Sequence, residues 1–420
     1  MEKKYLSRHG VTLYTYENPA LHGFYLSLFV KSGSMYEPDG SEGIVHLLEP
    51  CLIRNVNKLR GGNLYAELDR LGMEFNATTY SELMQFYVTA SREKFITGMG
   101  VLCELFRPIA LSRQELDAER KRVKAEIRES DDKTSLASFT SRIVFRDTPL
   151  AHSIVGTAGS VDRVSISRLE AWRQACLTSG NIFFYLTGSF DEGDIERALS
   201  MIDGLRVAEG EGNSNIAPVP CSFFNRPSEI FIKNSDYTVV RFTFDLDMSD
   251  MSVAETDLIY DSLLTGYNSR LFIELSEGRG LVYDVSGTLE RYRNVGTLSF
   301  SYELSSRHIE EAIRITVDVL NSMKDPATIT CVKAGYTDNA YLLCDDIREL
   351  NFTFAFDNHI MSEGYFTTGA RKERYAAVTN ERLAALAGEI FRRKNLTLTM
   401  KAQDKRVDKN KIEDILKGLD

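Results

Sequence analysis

Little in this 420-residue chain points to an oxidising compartment, a nucleic acid or a bilayer. Its six cysteines, at 51, 103, 176, 221, 331 and 344, show no C-x-x-C spacing. Reduced thiols are expected rather than a disulfide framework. No apolar run approaches the roughly 18 residues that a membrane-spanning helix requires. The opening MEKKYLSRHG has no apolar h-region, so no signal peptide is read and the cytoplasm is the expected location. Basic residues do not dominate. Fifty Lys and Arg stand against 60 Asp and Glu, a formal charge of −10, which argues against a nucleic-acid or anionic-membrane surface. One further absence is local. After His46 and Glu49, Pro50 stands where a second histidine would complete a metal motif.

What is present suits a large folded chain. Hydrophobic residues make up 43% and charged residues 26%, enough for a sizeable core, and the length predicts two domains or more. Residues 11–16 and 23–31 are rich in β-branched and aromatic residues and predict strands, separated by Glu17-Asn18-Pro19. A helix is expected from Gly43 through His46, and Pro50 ends it, kinks it or is absorbed by it. Leu64, Leu68 and Leu71 share one face of a helix over 63–71, which Gly72 caps. Strands are predicted at 74–79 and 83–90, then helices at 92–107 and 112–130. The second helix opens on Ser112 with Glu115 three residues later, a capping box. A helix at 166–176 and a strand at 182–187 follow.

Residues 208–220 combine Gly, Pro and acidic residues with little periodicity, and predict a linker between a domain at 1–210 and another at 221–420. A repeat supports that division. Gly72 opens a strand, turn, strand and long helix, and Gly280 opens the same series through 297–302 and 308–323. One α+β domain used twice is the reading; two unrelated α+β domains sharing common supersecondary structure is the alternative.

His46 and Glu49 are three apart and share a helical face. With a histidine next, the stretch would read H-x-x-E-H, in which two imidazoles hold zinc and the glutamate acts as general base. A lone histidine beside Ile44, Val45 and Leu47 is, taken by itself, more often a hydrogen-bonded, half-buried residue. Glu119 and Glu126 are seven apart, so both carboxylates leave their helix in the same direction. The plain alternative is a solvated, charge-laced helix, although its like-charge pairs Arg120–Lys124 and Glu115–Glu119 disfavour it slightly.

Taken together these stretches resemble the pitrilysin/insulinase family of inverted-zincin metallopeptidases, in particular the short-chain branch that includes mitochondrial processing peptidase. Gly33-Ser34 with Glu37, ahead of Gly43-Ile-Val-His-Leu-Leu-Glu, is similar to the family's approach to its zinc helix. Leu71-Gly72 with Asn76-Ala77-x-Thr79 resembles its next strand. Glu119-Arg120-x-x-Val123-x-x-Glu126 resembles its second metal helix, and Ile154-Val155-Gly156-Thr157 the region after that. Ser269-Arg270-Leu271-Phe272-x-x-Leu275-x-x-x-Arg279-Gly280-Leu281-x-Tyr283 resembles its C-terminal signature.

The resemblance implies an α+β fold of two homologous domains, each a mostly antiparallel sheet covered by helices, forming half of a clamshell. It implies His46 and Glu126 as metal ligands, Glu49 as general base, Glu119 as a supporting carboxylate and Tyr283 as a hydroxyl at the substrate carbonyl. Phe75, Asn76, Ala77, Thr78 and Thr79 are the expected peptide-binding strand. Two departures stand out: Pro50 replaces the second ligand, and Ser276 occupies the place of an arginine that partners the tyrosine, with Arg279 three residues on. His46 and Glu126 supply two donors where a catalytic zinc takes three plus water. Cys51 lies roughly 140° away from His46 on the helix.

No zinc is therefore expected, and one of the clustered carboxylates is expected to hold its proton. The leading expectation is a non-catalytic subunit that binds peptide or unfolded polypeptide for a partner bearing H-x-x-E-H, in a homo- or heterodimer. The alternatives are an active zinc peptidase with an unusual ligand set and a peptide-binding scaffold without a protease partner.

Overall fold

The computed structural model describes residues 1–129, 135–208, 229–266, 269–329 and 332–420. In chain order the first half runs β1 (Glu2–Leu6), β2 (Thr12–Glu17), β3 (Gly23–Val30), α1 (Ile44–Leu59), α2 (Leu64–Leu71), β4 (Glu74–Thr79), β5 (Met84–Ser91), α3 (Phe95–Glu104), α4 (Arg113–Glu129), α5 (Leu136–Val144), α6 (Ala158–Asp162), α7 (Ile166–Cys176), β6 (Ile182–Gly188) and α8 (Glu192–Asp203). The second half runs β7 (Ile230–Asn234), β8 (Thr238–Asp247), α9 (Val253–Leu264), α10 (Arg270–Phe272), β9 (Val282–Arg291), β10 (Val295–Leu304), α11 (Ile309–Ser322), α12 (Ile347–His359), α13 (Thr368–Ala377), α14 (Asn380–Ile390), β11 (Leu396–Ala402) and α15 (Lys409–Leu416). The expected linker at 208–220 lies, apart from Ala208, outside the described residues. Among the described residues no helix is long and apolar enough to cross a membrane.

The chain forms two compact units, and neither is contiguous in sequence. The first comprises residues 1–133, 145–217 and 341–368; the second comprises 134–144, 218–340 and 369–420. Each contains one mostly antiparallel sheet. The first sheet has six strands in the order β1-β2-β6-β3-β5-β4, and the second has five in the order β7-β11-β8-β10-β9. Leaving β1 aside, the two orders are the same path walked twice. The one parallel pair also recurs at the same place, β2 with β6 and β7 with β11. The α+β domain is thus repeated, and the arms beginning at Gly72 and Gly280 are equivalent: β4-β5-α3 in one, β9-β10-α11 in the other.

In the first unit β3 alternates as a strand must. Phe24, Leu26, Leu28 and Val30 join Val45, Leu48 and Leu52 of α1 and Met99 and Leu102 of α3 in one apolar cluster. Tyr25, Ser27 and Phe29 face the other way and are buried too, because α12 covers them. Asn351 of α12 is fully buried and pins that helix to the sheet. Its Oδ1 accepts from Ser27 Oγ at 2.7 Å, and its Nδ2 donates to the carbonyl of Tyr185 at 2.9 Å. A buried amide satisfied on both sides avoids the roughly 1–3 kcal/mol that an orphaned polar group costs.

The second unit repeats the device with different chemistry. Phe242 faces Phe300 in register, the rings stacked at 5.0 Å, on the apolar side of the sheet. The opposite side carries hydroxyls, and α5 meets it through a Thr140–Thr399 hydrogen bond of 2.6 Å.

Candidate metal centre

The helix that carries His46 and Glu49 begins at Gly43, whose φ of +85° suits a residue without a Cβ. A Cβ there would also stand 2.6 Å from the carbonyl oxygen of Val155. Glu37 caps the start of α1: its carboxylate accepts from the amides of Gly43 and Val45, both at 2.9 Å. Burial nevertheless pushes the Glu37 carboxyl up to about 8, against the pull of those two amides. Helix α1 then runs through Pro50 without a break. The proline is absorbed, and the cost of the missing N–H, about 3 kcal/mol in a helix interior, is offset by the apolar face that α1 buries.

Three of the four residues expected at the centre lie together and the fourth lies one rung away. His46 Nε2 sits 3.0 Å from Glu126 Oε2, with the histidine side chain 16% exposed and the glutamate 53%. Glu49 Oε2 accepts from Thr79 Oγ1 at 2.5 Å, which ties α1 to β4. Burial raises the Glu49 carboxyl above the ordinary carboxylate range; the Thr79 hydroxyl and His46 pull it down and Glu126 pushes it up. Glu119 is 1% exposed and bonds to Arg54 rather than to His46. It is held by Arg54 on one oxygen and by Arg122, at 3.1 Å, on the other. The like-charge pairs along α4 are all answered: Arg120 meets Asp117 at 2.6 Å, Lys124 meets Asp162 at 2.7 Å, and Glu115 meets Lys58 at 2.7 Å.

These donors do not fit a catalytic zinc ion. His46 and Glu126 face each other, Pro50 offers no lone pair, and Arg54 occupies Glu119. Cys51 is fully buried in the core, its thiol pushed up to about 12 by desolvation, so it stays protonated. Among the described residues no group of three or more His, Cys, Asp and Glu side chains is arranged to hold a metal. A zinc site takes three protein donors and keeps an open position, and this arrangement has two.

The expected peptide strand, Phe75 to Thr79, is β4, and it lies at the edge of its sheet with β5 as its one partner. Phe75, Ala77 and Thr79 are half-buried, whereas Asn76 and Thr78 are exposed. The amide of Ala77 donates to the Asn76 side chain at 2.8 Å rather than into the ladder, so it points toward the open edge. In the second unit Tyr283 is 95% exposed. Ser276, in place of the arginine, donates its hydroxyl to the carbonyl of Tyr283 at 3.3 Å. Arg279 is exposed and makes no hydrogen bond or ion pair among the described residues.

An open cavity of about 640 Å³ beside Tyr283 is lined in part by Asp284, Ser286, Ser301 and Glu303. Sequence reasoning did not single out Arg54, Asp284 or Glu303. The signal for Arg54 was available: 46, 50 and 54 are four apart, a helical stripe that drifts about 40° per step.

Two copies of one α+β unit, the first carrying H-x-x-E on a helix braced by an antiparallel helix that offers it three glutamates, define a peptidase-type fold built on the inverted-zincin plan. Comparison with known proteins agrees. Residues 13–158 match the family described as insulinase (peptidase family M16), and residues 163–328 match the peptidase M16 inactive domain. The chain belongs to the insulinase family. An uncharacterized zinc protease of Rickettsia bellii is 24% identical over 313 residues, covering 72% of each chain. A protease structure from Helicobacter pylori superposes with a TM-score of 0.81 at 13% identity, over 96% of this chain and 99% of that one. A peptidase M16 inactive domain from Pseudomonas fluorescens gives 0.79 at 17% identity, over 96% and 98%.

Proposed function

We propose that this chain is the non-catalytic subunit of a zinc-dependent peptidase pair, binding extended peptide for a family partner that carries the intact H-x-x-E-H motif. The observation that carries the reading is a contrast within one unit. The metal donors stop at two, at Pro50, while the neighbouring strand β4 lies at the open edge of its sheet and is fastened to α1 through Thr79 and Glu49. An extended peptide adds to such an edge by main-chain hydrogen bonds and needs no metal to do so. The match of the second half to the family's inactive-domain description is consistent with this role. Tyr283, exposed on β9, is the hydroxyl this subunit offers to a reacting carbonyl.

The test is co-expression with an H-x-x-E-H family member from the same genome. A complex with peptidase activity absent from either chain alone is expected, and Y283F should lower turnover while leaving assembly intact. No complex and no gain of activity would sink the proposal. An unchanged turnover in Y283F within an intact complex would favour a plain peptide-binding scaffold. The relative named as a zinc protease favours a second reading, a zinc peptidase with an unusual ligand set. Metal analysis separates the two: stoichiometric zinc in the purified protein, lost in E126Q, would establish the second.

A further inference from the structure

Helices α1 and α4 run antiparallel, and their facing side chains form a ladder of opposite charge. His46 meets Glu126 at 3.0 Å, Arg54 meets Glu119, and Lys58 meets Glu115 at 2.7 Å. The steps match. His46 to Arg54 is eight residues on α1, roughly 12 Å, and Glu126 to Glu119 is seven on α4, roughly 10.5 Å, at 1.5 Å per residue. Every basic member is on α1 and every acidic member on α4. Pro50 stands midway between the first two rungs and has no side-chain donor or acceptor to offer across the joint. The central rung is the demanding one, because Glu119 is 1% exposed and a carboxylate removed from water must be compensated nearby.

We propose that Arg54 is a built-in cation for this joint: it supplies from within the chain the positive charge that lets Glu119 be buried, and the α1–α4 brace closes without any metal. Arg122 adds a second contact to Glu119 from α4 itself, but its side chain is 70% exposed, so the cross-helix charge is that of Arg54, 33% exposed. Arg54 is therefore a positioning residue. By fixing α4 against α1 it holds Glu126 at His46 and keeps α1, with Glu49, in reach of Thr79 on the peptide edge. The proposal rests on the reading that this chain works without zinc. It is tested on the single chain, so failure of the partner assay leaves it standing, and its own failure leaves the partner assay interpretable.

The experiment is a double-mutant cycle on the full chain, read by denaturant unfolding at neutral pH. R54M should lower the folding equilibrium constant by about a hundredfold or more, because it strands a buried carboxylate. R54M/E119Q should recover at least about tenfold of that loss, the coupling expected of contacting charges. R54K, which keeps the charge without the forked geometry, should recover part of it and remains measurable if R54M does not fold. Dialysis of the unmodified protein against a chelator should leave its melting temperature unchanged. Additive effects of R54M and E119Q, a loss in R54K as large as in R54M, or a melting temperature lowered by the chelator would each overturn the proposal.

Discussion

Pro50 removes two things at once, an imidazole and an amide hydrogen. The lost hydrogen leaves the His46 carbonyl without its intrahelical partner, and the lost imidazole leaves the metal face one donor short. Replacing it addresses both. P50H is expected to take up about one zinc per chain after dialysis, measured by metal analysis, because a third donor then stands on the face of His46 and Glu126. Adding E126Q should abolish that uptake. Without metal, P50H should also raise the unfolding free energy, by up to about 3 kcal/mol, as the helix regains its bond.

Glu37 allows a second test at this scale. Its carboxyl moves from an ordinary 4.5 to about 8 in the folded chain, so the folded state binds this proton more tightly than the unfolded state does. Stability therefore falls as pH rises from 4.5 toward 8, by up to about 1.4 kcal/mol per pH unit from this group. Glu49, raised in the same direction, adds to the same slope. Unfolding curves between pH 5 and 9 should show the decline, and E37Q, which keeps an acceptor for the α1 amides, should flatten it.

At the scale of elements, β4 and α12 show how much a strand's neighbours decide. Strand β3 is buried on both faces although its sheet is mostly antiparallel, because α12 lies across the second face. Strand β4 stays open at its edge, and Asn76 shields one outward amide with its own side chain. Edge strands left bare invite pairing with other chains, and a self-bonded side chain is a mild guard that a binding peptide displaces. Proline at the Ala77 position removes an outward donor without touching the ladder to β5. A77P should therefore weaken binding of an extended peptide by about tenfold, the worth of one backbone hydrogen bond of about 1.4 kcal/mol. Fluorescence anisotropy measures the loss, and an unchanged melting temperature shows that the sheet survives.

At the scale of the whole chain, the repeat is visible but the units are not simple halves. Residues 341–368 belong to the first unit and residues 134–144 to the second. A fragment ending at residue 208 therefore lacks α12, and the face of β3 and β6 that carries Phe29, Phe183 and Tyr185 loses its cover. That fragment should bind a hydrophobic dye, lack near-ultraviolet circular dichroism and aggregate. Co-expressing the remainder of the chain should restore the native spectrum. A fragment that folds stably by itself would show that α12 is dispensable to the first sheet.

Local chemistry was enough to write much of this protein in advance. β-Branched and aromatic content marked β3, alternation marked β4 and β5, the Ser112–Glu115 box marked the start of α4, and three leucines on one face marked α2, because each signal is carried by neighbours within a turn or a strand. Spacing on one helix put His46 with Glu49, and on another Glu119 with Glu126, since a helix fixes which residues share a face. The absence of a donor at Pro50 is likewise a property of one residue. Which carboxylate meets which base depended on how α1 and α4 pass each other, and only the tertiary structure decided it: Glu126 reaches His46, while Glu119, seven residues away and on the same face, is taken by Arg54. The cover of the first sheet by a helix more than 300 residues downstream was equally beyond the sequence, because no local pattern records which distant surface an amphipathic segment will bury.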